Sequence, residues 1–450
     1  MLEPQECGRR PVVRRAGAGA APPLDRWEGR MRDTRFHRNF VLLILGQAAS
    51  LTGNYTLKFA LSMYVLEQTG SASVFASLLA LSMLPTVLLS PFGGILADRV
   101  NRRRIMVALD ALSGAAVLAF TLVLSLGNTL FSIGALLVIL SILGALESPT
   151  VQACIPQMLS GANLARGNAA VSQVQAVTSL FTPFLGSVVY AAFGLPPVLW
   201  GAAACFFLTA LLERQIHLED PDPAHGPRPG VPLREDVRTC LHFLRREQPG
   251  ILKLLLLAAL VSLFVAGTAV VGFPYLVRTV LGLSAEHYGA AESAMGVSAI
   301  LGSLFAGWRA QTLRLRRLAA VFVGFGLCLL PAGLAFLLPL GPLARYAVLL
   351  AVFCACQFGC SLFSTCAITV IQSRTPERLM GKVMSYVFTL SMCAQPVGQL
   401  LYGALFDCFS HAPYWVLLPS GLLVGLIGAA SVPFFAALEE TPPAPSQTQI

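Results

Sequence analysis

Charge is what this sequence has least of. Only 12% of its 450 residues are Asp, Glu, Lys or Arg, about half the share of a soluble domain. Against that, 56% are hydrophobic, more than a water-exposed surface could hide. An ordinary soluble fold is excluded. Histidine is also scarce: the six histidines lie in tails, loops or near helix ends, none centrally in an apolar run. A histidine ligand set or histidine proton relay is therefore excluded. No Walker loop, nucleophile elbow or zinc-hydrolase pattern occurs, and acids are dispersed rather than gathered at one depth. An embedded enzyme or a membrane sensor remains only as a distant rival, and no cofactor is expected.

What is present is a series of long apolar runs. In lipid every backbone N–H and C=O must be satisfied internally, which leaves helices or closed barrels. A barrel would alternate polar and apolar residues over short segments, whereas these runs are unbroken and near the roughly 20 residues that a spanning helix needs. Twelve are expected, at about 40–66, 73–97, 104–126, 129–147, 168–193, 196–215, 252–277, 287–309, 316–339, 343–371, 382–405 and 414–437. The fold class is an all-α polytopic membrane protein.

The net charge of +9 invites a nucleic-acid reading until the positions are examined. With the N-terminus in the cytoplasm, 28 of the 31 Lys and Arg fall on the cytoplasmic side, leaving Lys58 within the first helix and Arg278 and Arg345 outside. That is the positive-inside pattern, set by membrane topology and anionic lipid headgroups. It gives an even helix count, cytoplasmic termini, lipid as a partner and no role for nucleic acid. The protein is expected in a bacterial plasma membrane, as a monomer.

Residues 1–38 form a basic, Pro/Ala/Gly-rich tail without the apolar core of a signal peptide. Met31 opens a basic stretch that runs straight into the first helix and is an alternative start. Between the bundles expected at 39–215 and 251–437, the linker 216–250 carries a turn-rich stretch. Val237, Cys240, Leu241 and Leu244 then follow at helical spacing, an amphipathic surface helix. Residues 438–450 form a C-terminal tail. The eleven cysteines are scattered. Cys356 and Cys360 share a face of the tenth helix while Cys354 points elsewhere, so close packing explains them better than a metal site.

The halves echo one another. "SPTVQACIPQMLSGANLARGNAAVSQ" follows the fourth helix and "STCAITVIQSRTPERLMGKVMS" the tenth, each with a short Pro-containing turn and a small-residue helix start. Such repeats mark folds in which two bundles rock about a midplane site. The second loop reads Gly94-Ile-Leu-Ala-Asp98-Arg99-Val-Asn-Arg102-Arg103-Arg104-Ile-Met106. It resembles the G-x-L-a-D-r-x-g-r-k-x-x-l loop of the major facilitator superfamily, with Asn101 at the second glycine position. "FHRNFVLLILGQAASLTGN", "LEQTGSA" and the two joins above look like the branch of macrolide-efflux proteins and enterobactin exporters. The resemblance covers about residues 35–437 and implies two six-helix bundles, transport by alternating access, and a cytoplasmic latch of Gly94, Asp98, Arg99, Arg102 and Arg103. It implies export of a small amphipathic compound (a drug, siderophore or metabolite) in exchange for protons. The fourth helix lacks the arginine of many drug:proton antiporters, and Thr182-Pro183 stands where their fifth helix has Gly-Pro. An importer or a lipid facilitator of the same fold is the alternative.

Ionisable residues inside spans usually face a cavity or a partner. Gln47, Ser50, Asn54 and Lys58 make one polar stripe along the first helix. By resemblance this stripe faces the central cavity; otherwise Lys58 snorkels to the interface and Asn54 bonds a neighbouring helix. Gln357 and Ser361 offer a second polar face on the tenth helix. Asp110, Glu147 and Glu292 are the candidate coupling or gating acids. For Asp110 the nearby loop arginines favour a structural pairing over proton uptake.

Overall fold

A computed structural model describes residues 23–124, 129–159, 162–218, 246, 249–308, 316–375 and 377–440. The apolar runs become twelve helices with no strand among the described residues. They are α1 Pro23–Thr69, α2 Ala72–Arg99, α3 Arg102–Val123, α4 Thr129–Met158, α5 Ala162–Phe193 and α6 Leu195–Arg214. The second set is α7 Pro249–Val280, α8 Ala285–Trp308, α9 Arg316–Leu337, α10 Pro342–Arg374, α11 Glu377–Cys408 and α12 Tyr414–Glu440. Eleven of them are long and apolar enough to cross a membrane, α11 being the exception among the described residues. α11 packs against α2 and α7. The helix α1 begins at Pro23, within the stretch expected as a tail, and α4 runs on past the expected span through Pro149 and Pro156. The expected amphipathic linker helix lies outside the described residues.

Connections are short where their chemistry allows a sharp reversal. Gly70 takes φ +59° between α1 and α2, a left-handed conformation that a side chain disfavours. Ser71 follows at once as the N-cap of α2, accepting from the Val74 N–H. Asn101 does the same for α3 through the Arg104 N–H. Inside α7 the backbone widens to π-helical turns at Ala266–Gly272 and Leu276–Val280, on either side of Phe273-Pro274-Tyr275. Widened turns of this kind absorb the missing proline donor and recur at functional positions.

The first six helices pack among themselves, as do the last six, and the two sets meet through α2 with α11 and α5 with α8. Call the end where α1 starts and α12 finishes proximal, and the other distal. Distally one apolar core runs through both sets, joining Leu57, Phe59 and Val198 to Phe273, Tyr288 and Phe406. Phe59 stacks on Tyr288 across the boundary, ring centroids 5.3 Å apart and 17° from parallel. Proximally this core divides. Leu43, Met106, Ile155 and Ile216 make one cluster in the first set, and Leu255, Phe322, Ile371 and Phe435 another in the second. The bundles are therefore welded at one end and separately packed at the other.

Candidate functional site

Where the shared core ends, a cavity of about 380 Å³ opens between the two sets. Its wall takes Ser179 and Leu180 from α5, Ala269 and Val270 from the π-helical part of α7, Tyr288, Glu292 and Met295 from α8, and Gln357 from α10. Glu292 and Gln357 were expected in separate roles, and the fold brings them to one wall. The Tyr288 hydroxyl lies in hydrogen-bond reach of the Glu292 carboxyl. Small residues on α7 and α8 leave the volume, while Met295, Leu180 and Ile300 keep it apolar. A mostly apolar pocket with a few convergent polar groups is the usual form of a small-molecule site. Ser361 sits one turn on from Gln357, half-buried, its carbonyl accepting from Thr365. Tyr288 carries no signal in the sequence that separates it from an ordinary core aromatic.

A second polar centre lies in the proximal part of the first six helices. Asp110 on α3 and Glu213 on α6 are both 0% exposed, and their carboxyls are in hydrogen-bond reach of each other. Ser50 on α1 donates to Asp110 Oδ1 at 3.0 Å. Glu147 on α4 stands within electrostatic range of both acids and faces Gln47 and Ser50. Asp110 Oδ2, both Glu213 oxygens and Gln47 Nε2 are buried without a hydrogen-bond partner. Two ionised carboxylates at about 4 Å repel by about 4 kcal/mol at an effective dielectric of ~20. The described partners of Asp110 are Ser50 and Glu213, and the loop arginines are not among them. The Arg102 guanidinium turns instead to the Ala153 carbonyl on α4, at 2.9 Å. Glu213 was not singled out in the sequence, because an acid in the last turn of a span reads as an interface residue.

The remaining expected residues divide by position. Gln47 and Asn54 lie on one face of α1, the former 6% exposed and the latter with a buried, unpartnered Oδ1, and Lys58 is exposed farther along the stripe. Arg103 is half-buried at the start of α3. Gly94, Asp98 and Arg99 occupy the last turns of α2, and their side chains lie outside the described residues.

At the distal end, two carboxylates tie the helix sets together. Glu67 at the end of α1 forms an ion pair with Arg278 of α7 and accepts from the Tyr190 hydroxyl at 2.6 Å. Asp407, next to last in α11, accepts from the Ser71 hydroxyl at 2.6 Å and from the Ala72 and Ser73 N–H groups at 2.7 and 2.9 Å. It therefore caps the N-terminus of α2 from the other half, where exposed N–H groups and the helix dipole favour an anion. The approach depends on Gly403, where an added Cβ would stand 2.5 Å from the Ala76 Cβ and 3.0 Å from the Ala72 carbonyl oxygen. Asp407 lies two residues beyond the apolar span expected at 382–405. Partial burial works to raise its pKa, but the hydrogen bonds from Ser71, Ser73 and Ala72 outweigh burial and hold it below the ordinary 3.8.

Relatives place this architecture. The chain is 24% identical over 396 residues to macrolide efflux protein A of Streptococcus pyogenes, covering 86% of this chain and 93% of that protein. It is 26% identical over 325 residues to the enterobactin exporter of Citrobacter koseri, covering 70% and 72%. Its fold matches the crystal structure of a bacterial homologue of the iron transporter ferroportin in the inward-facing state, with a TM-score of 0.67, 18% identity, and 90% and 99% of the two chains covered. The profile of the Major Facilitator Superfamily matches residues 43–398. With twelve helices in two sets, a cavity between them and efflux proteins among its relatives, the chain belongs to the major facilitator superfamily and is a multi-pass membrane transporter.

Proposed function

We propose that this transporter is an exporter, moving a small amphipathic compound out of a bacterial cell in exchange for protons. The observation that carries the transport reading is the divided core, and direction rests on the efflux relatives. We read the proximal end, where the two sets pack separately, as the cavity's approach and, by the positive-inside rule, as the cytoplasmic side. Cargo entering from that side meets apolar surface on α5, α7 and α8 and one acid, Glu292, held by Tyr288 beside Gln357. An apolar body buries well there, and a basic or hydroxylated group finds the carboxyl and the amide.

Release requires the distal contacts to break and the proximal ends to close. The loop Gly94–Met106 is the expected clamp of that second state, with Asp98 at the end of α2 facing a positive helix terminus or an arginine. A proton gradient directed inward supplies the work, the candidate acids being Asp110, Glu147 and Glu292. The efflux relatives support export, and the fold alone is neutral on direction, because transport follows the imposed gradients.

The test is flux in proteoliposomes under an imposed pH gradient, with a panel of basic and neutral amphipathic compounds, macrolides and catecholate siderophores. Gradient-dependent movement of at least one compound is expected, and Glu292→Gln should weaken its apparent affinity by about tenfold, the loss of about 1.4 kcal/mol. Flux that ignores the pH gradient across the whole panel overturns the coupling. Accumulation in the direction of the proton flow makes the protein an importer.

A further inference from the structure

We infer that Asp110 and Glu213 hold one proton between them, in a chamber of the first six helices separate from the cargo cavity. Both side chains are fully buried, come from different helices, and face each other in hydrogen-bond reach. Carboxylates are acceptors only, so two of them at this distance bond only when one carries a hydrogen. The unpartnered atoms locate that hydrogen. Asp110 Oδ1 is already taken by Ser50, and Asp110 Oδ2 and both Glu213 oxygens are buried and empty-handed. A single O–H between Glu213 and Asp110 Oδ2 removes one of two facing charges and satisfies an oxygen on each residue.

Among the described residues, no cation acts on these acids. From α1 come Gln47 and Ser50; from α4 come Glu147, a third acid in electrostatic range, and Cys154 near Glu213. From the start of α3 comes Arg102, whose guanidinium donates to the Ala153 carbonyl. On α6 the neighbouring Arg214 is exposed. Among the described residues no three His, Cys, Asp or Glu side chains are placed to hold a metal ion. What these groups accommodate is the smallest cation. On release the proton leaves the carboxyl oxygen for water, no other bond breaks, and both acids ionise with Ser50 still on Asp110 Oδ1. Glu147 and Gln47 stand at the foot of the α1 stripe that leads through Asn54 to Lys58, so release of this proton changes the charge at one end of a polar line along α1.

The inference takes from the proposed export only the proton as coupling ion, and its test needs no cargo. The purified full chain in lipid nanodiscs is compared between neutral and alkaline pH by infrared difference spectroscopy, reading the deuterium-sensitive stretch of a protonated carboxyl group. Wild type should show one such band at neutral pH, lost on raising the pH. Asp110→Asn and Glu213→Gln should each abolish it, and Glu147→Gln should retain it with a lower midpoint, because a nearby negative charge has gone. Glu213→Asp should preserve it, which guards against loss by misfolding, with elution as a single species required of every variant. A wild type without the band overturns the proposal. So does a band that disappears only in Glu292→Gln, which moves the proton to the cargo cavity, or one displaced by sodium or calcium. Absent export with the band intact leaves the shared proton in place and refutes only the transport reading.

Discussion

The same side chain does opposite work at the two ends of this molecule. At the distal rim each carboxylate is supplied with donors. Glu67 has Arg278 and Tyr190, and Asp407 has a hydroxyl and two backbone N–H groups. In the proximal chamber of the first half, Asp110 has one hydroxyl, and Glu213 has no donor at all. Satisfied acids hold two helix sets together, since each bond is made in one state and broken in the other. The chamber acids, without protein donors for most of their oxygens, are kept facing each other by the packing of the helices around them. Burial without partners is costly for a charge, so the second arrangement persists where a function requires it.

That contrast predicts opposite signs for neutralising an acid. The largest effect is expected in the chamber. Glu213→Gln removes the facing charge, so once alkaline pH has taken the shared proton from wild type the variant should be more stable by about 2 kcal/mol. With the shared proton in place, at the acidic end of the scan, the two should melt together, because an amide then replaces a neutral acid. Melting temperature against pH reads this directly, and a variant less stable than wild type at alkaline pH would put Glu213 among the satisfied acids.

At the rim neutralisation should destabilise, by less. Asp407→Asn keeps the shape and one acceptor but loses the charge-assisted bonds to Ser71, Ala72 and Ser73. About 1 kcal/mol is expected from the weakened cap and dipole interaction, about a fivefold faster hydrogen exchange at the Ala72 and Ser73 amides. Unchanged exchange there, with normal exchange elsewhere, would show that α2 is held distally by apolar packing through Gly403 and Ala76 alone.

Much of the fold could be read in the sequence because lipid makes strong demands: apolar runs of spanning length and a one-sided arginine distribution leave few alternatives. The site was legible in pieces. Gln47, Asp110 and Glu147 drew notice as polar residues inside spans, as did Glu292 and Gln357. Their grouping into a chamber and a cavity depends on which helix faces which, and no local pattern encodes that. Glu67, Glu213 and Asp407 were missed for one physical reason. Each sits in the last turns of its helix, where an acid is ordinarily hydrated, and only the packing of α7, α3 and α2 against those ends gives it a partner. The arginine expected beside Asp110 is likewise not among its described partners. Arg102 is close to it in sequence, but the described contact of its guanidinium is a carbonyl on α4.

The smallest effect is the pH response of the rim itself, and its direction separates the two regions most clearly. Asp407 is held below its ordinary pKa of 3.8 while bonded to α2, so the ionised form favours the distally closed state. The contribution is fully present above the ordinary value and is lost as pH falls through the lowered one. Spin labels across the distal end should therefore give the same separation from pH 8 down to about pH 5, and broaden only below about pH 4. The chamber responds in the other sense, because falling pH loads a proton that relieves repulsion rather than removing a bond. Proton loading thus changes the first half without loosening the distal weld, and the weld must yield to cargo or to motion of the helices themselves. A distal end that opened between pH 8 and pH 6 would break this separation and make the rim, rather than the chamber, the place where protons act.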